Sequence, residues 1–147
     1  MKVPDANLLL YSVNEDAPRH VPARTWLEEV LSGTETVGFT WIVLLGFLRL
    51  STRAVVFPRP LKPPEAFARI ESWLSVPCVS VIHPTERHGR ILKDLVLPLG
   101  TAGNITSDAH LAAMAIEHGA QLCSCDTDFA RFPGLNWIDP LAGTEGR

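Results

Sequence analysis

Cysteine is scarce in this chain. Cys78, Cys123 and Cys125 are its only three, too few and wrongly spaced for a disulfide framework or a zinc signature. In "QLCSCD" the last two alternate, so on a strand they face one side together and pack as small hydrophobes. No run approaches the roughly 20 apolar residues of a membrane span. Nor does a signal-peptide pattern open the chain, because "MKVPDANLLLYS" reaches Asp5 and Asn7 before any long apolar stretch. A reduced, cytoplasmic setting without membrane attachment is expected. Positive charge is not in surplus either. The formal charge is −3, so no global field draws the chain to nucleic acid, and contact with a polyanion must rely on a local basic patch. His20, His83, His88, His110 and His118 show no ligand spacing such as HxxxH, and His110 points away from Asp108 on a helix. "GTAGN" lacks a Walker lysine and reads as a turn. There is no internal repeat and no linker, so residues 1–147 read as a single domain.

What is present is a globular composition, 46% hydrophobic and 20% charged. A short strand around Lys2–Pro4 leads into a helix from about Asn7, with Pro4 at the strand's end or on an edge because it cannot donate to a ladder. Trp26, Leu27, Val30 and Leu31 form a helical stripe between Pro18 and Ser32, and Gly33 stops it. "TVGF" predicts a second strand. "TWIVLLGFLRLSTR" follows as a helix with Trp41, Leu44, Leu45 and Leu48 on one stripe. The prolines of "FPRPLKPPEAF" predict an extended loop, after which Pro63 and Pro64 open a helix that buries Ala66, Phe67, Ile70, Trp73 and Leu74. "VSVI" is a third strand and "TERHGRILKDLVL" a helix capped by Thr85. "ITSDAHLAAMAIEHG" is apolar nearly all round, hence a buried helix, and Gly119 ends it. "QLCSC" is a fourth strand, "DTDFARF" a short helix and "NWI" a fifth strand. Strands alternating with helices imply a three-layer α/β fold, a mainly parallel four- to five-stranded sheet flanked by helices.

In such sheets ligands bind outside the carboxyl ends of the strands. Asp5 follows the first strand and Asp126 the fourth; Asp108 sits in the first turn of the buried helix, and Asp128 lies just past Asp126. Asp126 and Asp128 also suit helix caps, and Asp108 suits a helix dipole. Asp5, between an apolar strand and "LLLY", is harder to explain that way, since a half-buried unpaired carboxylate is costly. Convergence of Asp5, Asp108 and Asp126 would make an acidic pocket that needs a cation. Hard oxygen donors favour Mg²⁺ or Mn²⁺, which activate water and stabilise charge on a phosphodiester.

"PDANLLLY", "FTWIVLLGFLRLST", "VFPRPL" and "SDAHLAAMAIEHGAQLCSCDTDFARFPGLNWIDPL" together resemble a PIN domain, most closely the VapC-type toxin ribonucleases of bacterial type II toxin–antitoxin pairs. The resemblance runs from about Lys2 to Pro140, and the C-terminal block is its most specific part. It implies a Mg²⁺- or Mn²⁺-dependent endoribonuclease that hydrolyses RNA in the cytoplasm, a VapB-type antitoxin partner and a homodimeric toxin. It also assigns the family's first, third and fourth acidic positions to Asp5, Asp108 and Asp126, and an accessory acidic position to Asp128.

The second acidic position, usually a Glu, falls on Gly46, in mid-helix where glycine costs about 1 kcal/mol relative to alanine. Three accounts remain open. The other aspartates and waters complete the metal shell, or the chain is a catalytically impaired scaffold that binds RNA or antitoxin without cutting, or Gly46 permits close helix packing. Arg49, one turn on, would orient an aspartate, contact an RNA phosphate or form a structural salt bridge. Asn7 would hydrogen-bond a carboxylate or metal-bound water, or cap the first helix. Arg53, Arg59, Lys62, Arg90 and Lys93 would border an RNA groove or serve as solvated surface charge. A phosphotransfer receiver domain fits poorly, since His83 and Pro84 follow the third strand where a phosphoacceptor Asp is needed.

Overall fold

The computed structural model describes residues 1–144. Five parallel strands are joined by helices: β1 (Lys2–Pro4), α1 (Ala6–Val13), α2 (His20–Leu31), β2 (Val37–Phe39), α3 (Trp41–Ser51), α4 (Pro63–Leu74), β3 (Val79–Val81), α5 (His88–Val96), α6 (Thr106–Glu117), β4 (Gln121–Cys123) and β5 (Trp137–Ile138). The sheet order is β3-β2-β1-β4-β5, and every neighbouring pair runs parallel. This is the expected three-layer α/β architecture. The chain builds outward from β1 through β2 to β3, then returns to add β4 on the other side of β1. Crossovers therefore leave in opposite directions between β1 and β4, which opens a crevice at their carboxyl ends.

The strands are short and their interiors apolar. Val3, Val37, Phe39, Leu122 and Cys123 are buried, as expected of a parallel sheet covered on both faces. Pro4 ends β1, a central strand, opposite Cys123. Trp73 of α4 stacks near Phe39 of β2 and meets Phe47 of α3 edge-on, with ring centroids 4.8 Å apart. Leu8, Ala23, Cys123 and Leu141 form a smaller second cluster, and Cys125 packs against it. Both of the closely spaced cysteines thus act as small hydrophobes, and burial pushes each thiol up to about 12.

The structure resolves which face of α3 is buried and corrects two sequence expectations. In α3 the buried face is Val43, Leu44, Phe47 and Ser51, while Trp41 and Leu45 are about half exposed, at 48% and 57%. This helix is apolar almost all round, so spacing could not tell which of two adjacent stripes meets the sheet. In α4 the stripe is Ala66, Ile70 and Trp73; Phe67 sits one residue out of register and is exposed. Thr85 does not cap α5, which begins at His88 after Arg87. Its hydroxyl accepts instead from the Arg87 amide, and its own amide is taken by Glu117.

Among the described residues no helix is long and apolar enough to cross a membrane.

Candidate metal centre

The crevice between β1 and β4 gathers the acidic residues. Pairing of Pro4 with Cys123 and the Asp5 amide's bond to the Cys123 carbonyl extend the ladder by one step, setting Asp5 beside Ser124. Asp5 is the N-cap of α1. Its Oδ1 accepts from the Ala6 amide at 2.7 Å and its Oδ2 from the Ser124 hydroxyl at 2.7 Å. Each oxygen keeps lone-pair capacity for a further ligand. Burial pushes the Asp5 carboxyl above its ordinary value; the Ser124 and Ala6 donors oppose the rise, and the Asp126 charge adds to it.

Ser124 is fully buried and uses its whole hydrogen-bonding capacity. While its hydroxyl donates to Asp5, its oxygen accepts from Asn7 Nδ2 at 3.1 Å and from the Asp126 amide at 3.0 Å. One hydroxyl thereby ties together the ends of β1, α1 and β4. Asn7 lies inside α1 rather than at its cap, and its Oδ1 also receives the Cys125 amide at 3.4 Å.

Asp126 caps the 3₁₀ turn Thr127–Arg131, its Oδ1 accepting from the Asp128 amide. Asp108 arrives from the first turn of α6. One carboxylate oxygen each from Asp108, Asp126 and Asp128 lies within 4.8 Å of the others. The Asp108 carboxyl is raised, by burial first and then by the charges of Asp126 and Asp5, while Arg131 pulls it back down. The tight group is thus Asp108, Asp126 and Asp128. Asp5 is outside that group and is coupled to it through Ser124, which also accepts from the Asp126 amide, and through charge. An all-carboxylate, hard-oxygen donor set of this kind suits Mg²⁺ or Mn²⁺ rather than a softer metal.

Gly46 of α3 lies against Ala6, the residue after Asp5. A Cβ there would meet only the Ala6 Cβ, at 3.6 Å, an ordinary contact, so close packing does not require the glycine. Arg49 is exposed and forms no ion pair among the described residues. Among the described residues the cation paired with these carboxylates is Arg131, 3.3 Å from Asp128 and 3.7 Å from Asp108. Of the other basic candidates, Arg59 pairs with Glu15 and Asp16, pinning the proline-rich loop to the end of α1.

Sequence reasoning passed over three residues. Arg131 had a local signal, the i,i+3 spacing from Asp128 in "DTDFAR". Ser124 had none, because only the β1–β4 register sets it against Asp5. Glu117 also had none. It is buried at the end of α6, where Oε1 accepts from the Thr85 amide and Oε2 pairs with His88 Nδ1, each at 2.7 Å. His88 Nε2 in turn meets His110 Nδ1 at 2.9 Å. This chain binds α5 to α6.

A PIN-domain family model matches residues 2–135. Ribonuclease VapC37 of Mycobacterium tuberculosis is 46% identical over 142 residues, covering 97% of this chain and 99% of that protein. Ribonuclease VapC33 of the same species is 44% identical over 141 residues, covering 96% and 99%. The crystal structure of VapBC2 from Rickettsia felis bound to a DNA fragment from its promoter superposes with a TM-score of 0.69. Its sequence identity is 20%, and the match covers 93% of this chain and 96% of that one; at this identity it speaks for the fold. The chain belongs to the PIN-domain family and, within it, to the VapC type.

Proposed function

We propose that this protein is the toxin of a type II toxin–antitoxin pair, an endoribonuclease that hydrolyses RNA phosphodiester bonds with Mg²⁺ or Mn²⁺. We place it in the cytoplasm as a single-domain homodimer held in check by a VapB-type antitoxin. The observation that carries the reading is the group of three carboxylate oxygens within 4.8 Å at the sheet's switch point, in a chain 46% identical to a ribonuclease.

Asp108, Asp126 and Asp128 would hold the ion, with Asp5 adding charge and a further oxygen. A bound divalent cation supplies Lewis-acid stabilisation of phosphodiester charge and acidifies water. The protein's own part is positional. Ser124 keeps a proton on the Asp5 side of its hydrogen bond, so that Asp5 Oδ2 is held as an acceptor. The Asp128 amide fixes one Asp126 oxygen and leaves the other for the ion. Water and substrate enter from the carboxyl end, where Asp128 is exposed. With Asp128 included, four carboxylates remain near the crevice even though Gly46 supplies none, which supports an active site rather than a vestigial one.

The rival reading, a scaffold that binds RNA or antitoxin without cutting, draws on the open space beside Gly46. Incubating the purified protein with Mn²⁺ and a mixed RNA pool separates the two. Cleavage that disappears in Asp126→Asn and with EDTA supports the nuclease. Intact RNA despite measurable binding supports the scaffold.

A further inference from the structure

The carboxylate group already contains a cation of its own. Arg131 closes the 3₁₀ turn, and its Nε donates to the Asp128 backbone carbonyl at 2.9 Å. From that anchor Nη2 reaches both the Asp128 carboxylate, at 3.3 Å, and the Asp108 carboxylate, at 3.7 Å. The guanidinium carbon also lies 5.5 Å from the centre of the Phe132 ring, a cation–π distance that discourages its swinging away. A guanidinium does not deprotonate in proteins, so its charge is permanent at any working pH. Two of the three carboxylates that would hold a dication are thus already partnered.

We propose that Arg131 is a built-in counter-cation: it holds Asp108 and Asp128 together in the metal-free protein and competes with the divalent ion for them, setting how weakly the centre loads. This rests on the metal-centre reading above. A dication entering among the three oxygens is repelled by the guanidinium and must displace Nη2 from at least one carboxylate. The Nε bond to the Asp128 carbonyl does not involve a carboxylate oxygen. It survives that displacement and keeps Arg131 at the rim as a positioning residue.

The test is Mn²⁺ affinity, read from the free-ion electron paramagnetic resonance signal, for wild type, Arg131→Gln and Arg131→Lys, each checked for fold by circular dichroism. Arg131→Gln should bind Mn²⁺ about tenfold more tightly or better, the scale expected for removing one charge a few ångströms from a dication. Arg131→Lys, which keeps the charge, should stay within about threefold of wild type. A second readout needs no variant: in the wild-type protein the Arg131 Nε–H nuclear magnetic resonance signal must shift as Mg²⁺ is titrated, saturating with the metal. Equal affinities in wild type and Arg131→Gln, or an Arg131 signal unmoved by bound Mg²⁺, overturn the role of Arg131 and leave the metal centre standing. Failure of every form to take up Mn²⁺ at millimolar concentration removes the metal centre itself, and this inference with it.

Discussion

Replacing Ser124 with alanine tests the site's architecture most directly. The hydroxyl is fully buried and makes three hydrogen bonds, to Asp5, Asn7 and the Asp126 amide. The bond to Asp5 is charge-assisted, a class that contributes about 1.5–3 kcal/mol. Its loss also leaves Asn7 Nδ2 and the Asp126 amide without their acceptor, though water at the crevice mouth can reach part of this set. A net cost of about 2–3 kcal/mol is expected. With an m-value of roughly 2 kcal/mol/M, the urea midpoint should fall by about 1 M. The deficit should also depend on pH. The Asp5 carboxyl is already raised in the folded state, and the Ser124 donor is the largest influence opposing that rise. A raised carboxyl means the folded state binds its proton more tightly than the unfolded chain does. Its contribution to stability is therefore fully present below the ordinary value of 3.8 and is lost as pH rises through the folded value. Ser124→Ala lifts the folded value further and enlarges that loss, so the variant's deficit is greatest at neutral pH and narrows on acidification. Urea titrations of both proteins in EDTA across this range measure it. A neutral-pH deficit under about 0.5 kcal/mol, within the range of an ordinary surface substitution, would refute the hub role. So would a deficit that does not change with pH.

Gly46→Ala should stabilise the protein by about 0.5–1 kcal/mol, because the added Cβ meets only Ala6 at an ordinary distance and helix propensity improves; a lowered melting temperature would show that the space is not open. Glu117→Ala should cost about 3 kcal/mol or more, since it strips a buried carboxylate from Thr85 and His88, yet leave Mn²⁺ affinity unchanged. A loss of metal binding at full folding would connect that network to the site after all. Mn²⁺ affinity should weaken on acidification before the ordinary carboxylate range is reached, because the raised carboxyls of Asp5 and Asp108 take up protons in competition with the ion. A binding curve flat down to about pH 4, the ordinary carboxylate range, contradicts those shifts.

The alternation of strands and helices, and with it the three-layer class, was legible because the punctuation is local. Gly33 and Gly119 stop helices, Pro63 opens one, and the short apolar runs between them leave little choice. The position of Asp5 at a strand's end was readable for the same reason. By contrast, α3 carried too many apolar residues for its pattern to choose a face. Trp41 and Leu45 share the apolar stripe with Leu44 and Leu48, yet they lie half exposed. Only packing of Val43 and Phe47 against the sheet settles that question.

By itself, then, the chain's local chemistry determined which segments become strands and helices and which carboxylates stand near strand ends. Tertiary structure alone decided their partners. The order β3-β2-β1-β4-β5 sets β1 against β4, residues more than a hundred positions apart, and that register brings Ser124 under Asp5. It also decided that Asp128, with Arg131 attached, joins Asp108 and Asp126 in one group of carboxylate oxygens, with Asp5 outside it. The physical reason is range. Capping, turn and periodicity preferences act within a few residues, whereas a shared carboxylate site is a contact between elements that meet only once the sheet has closed.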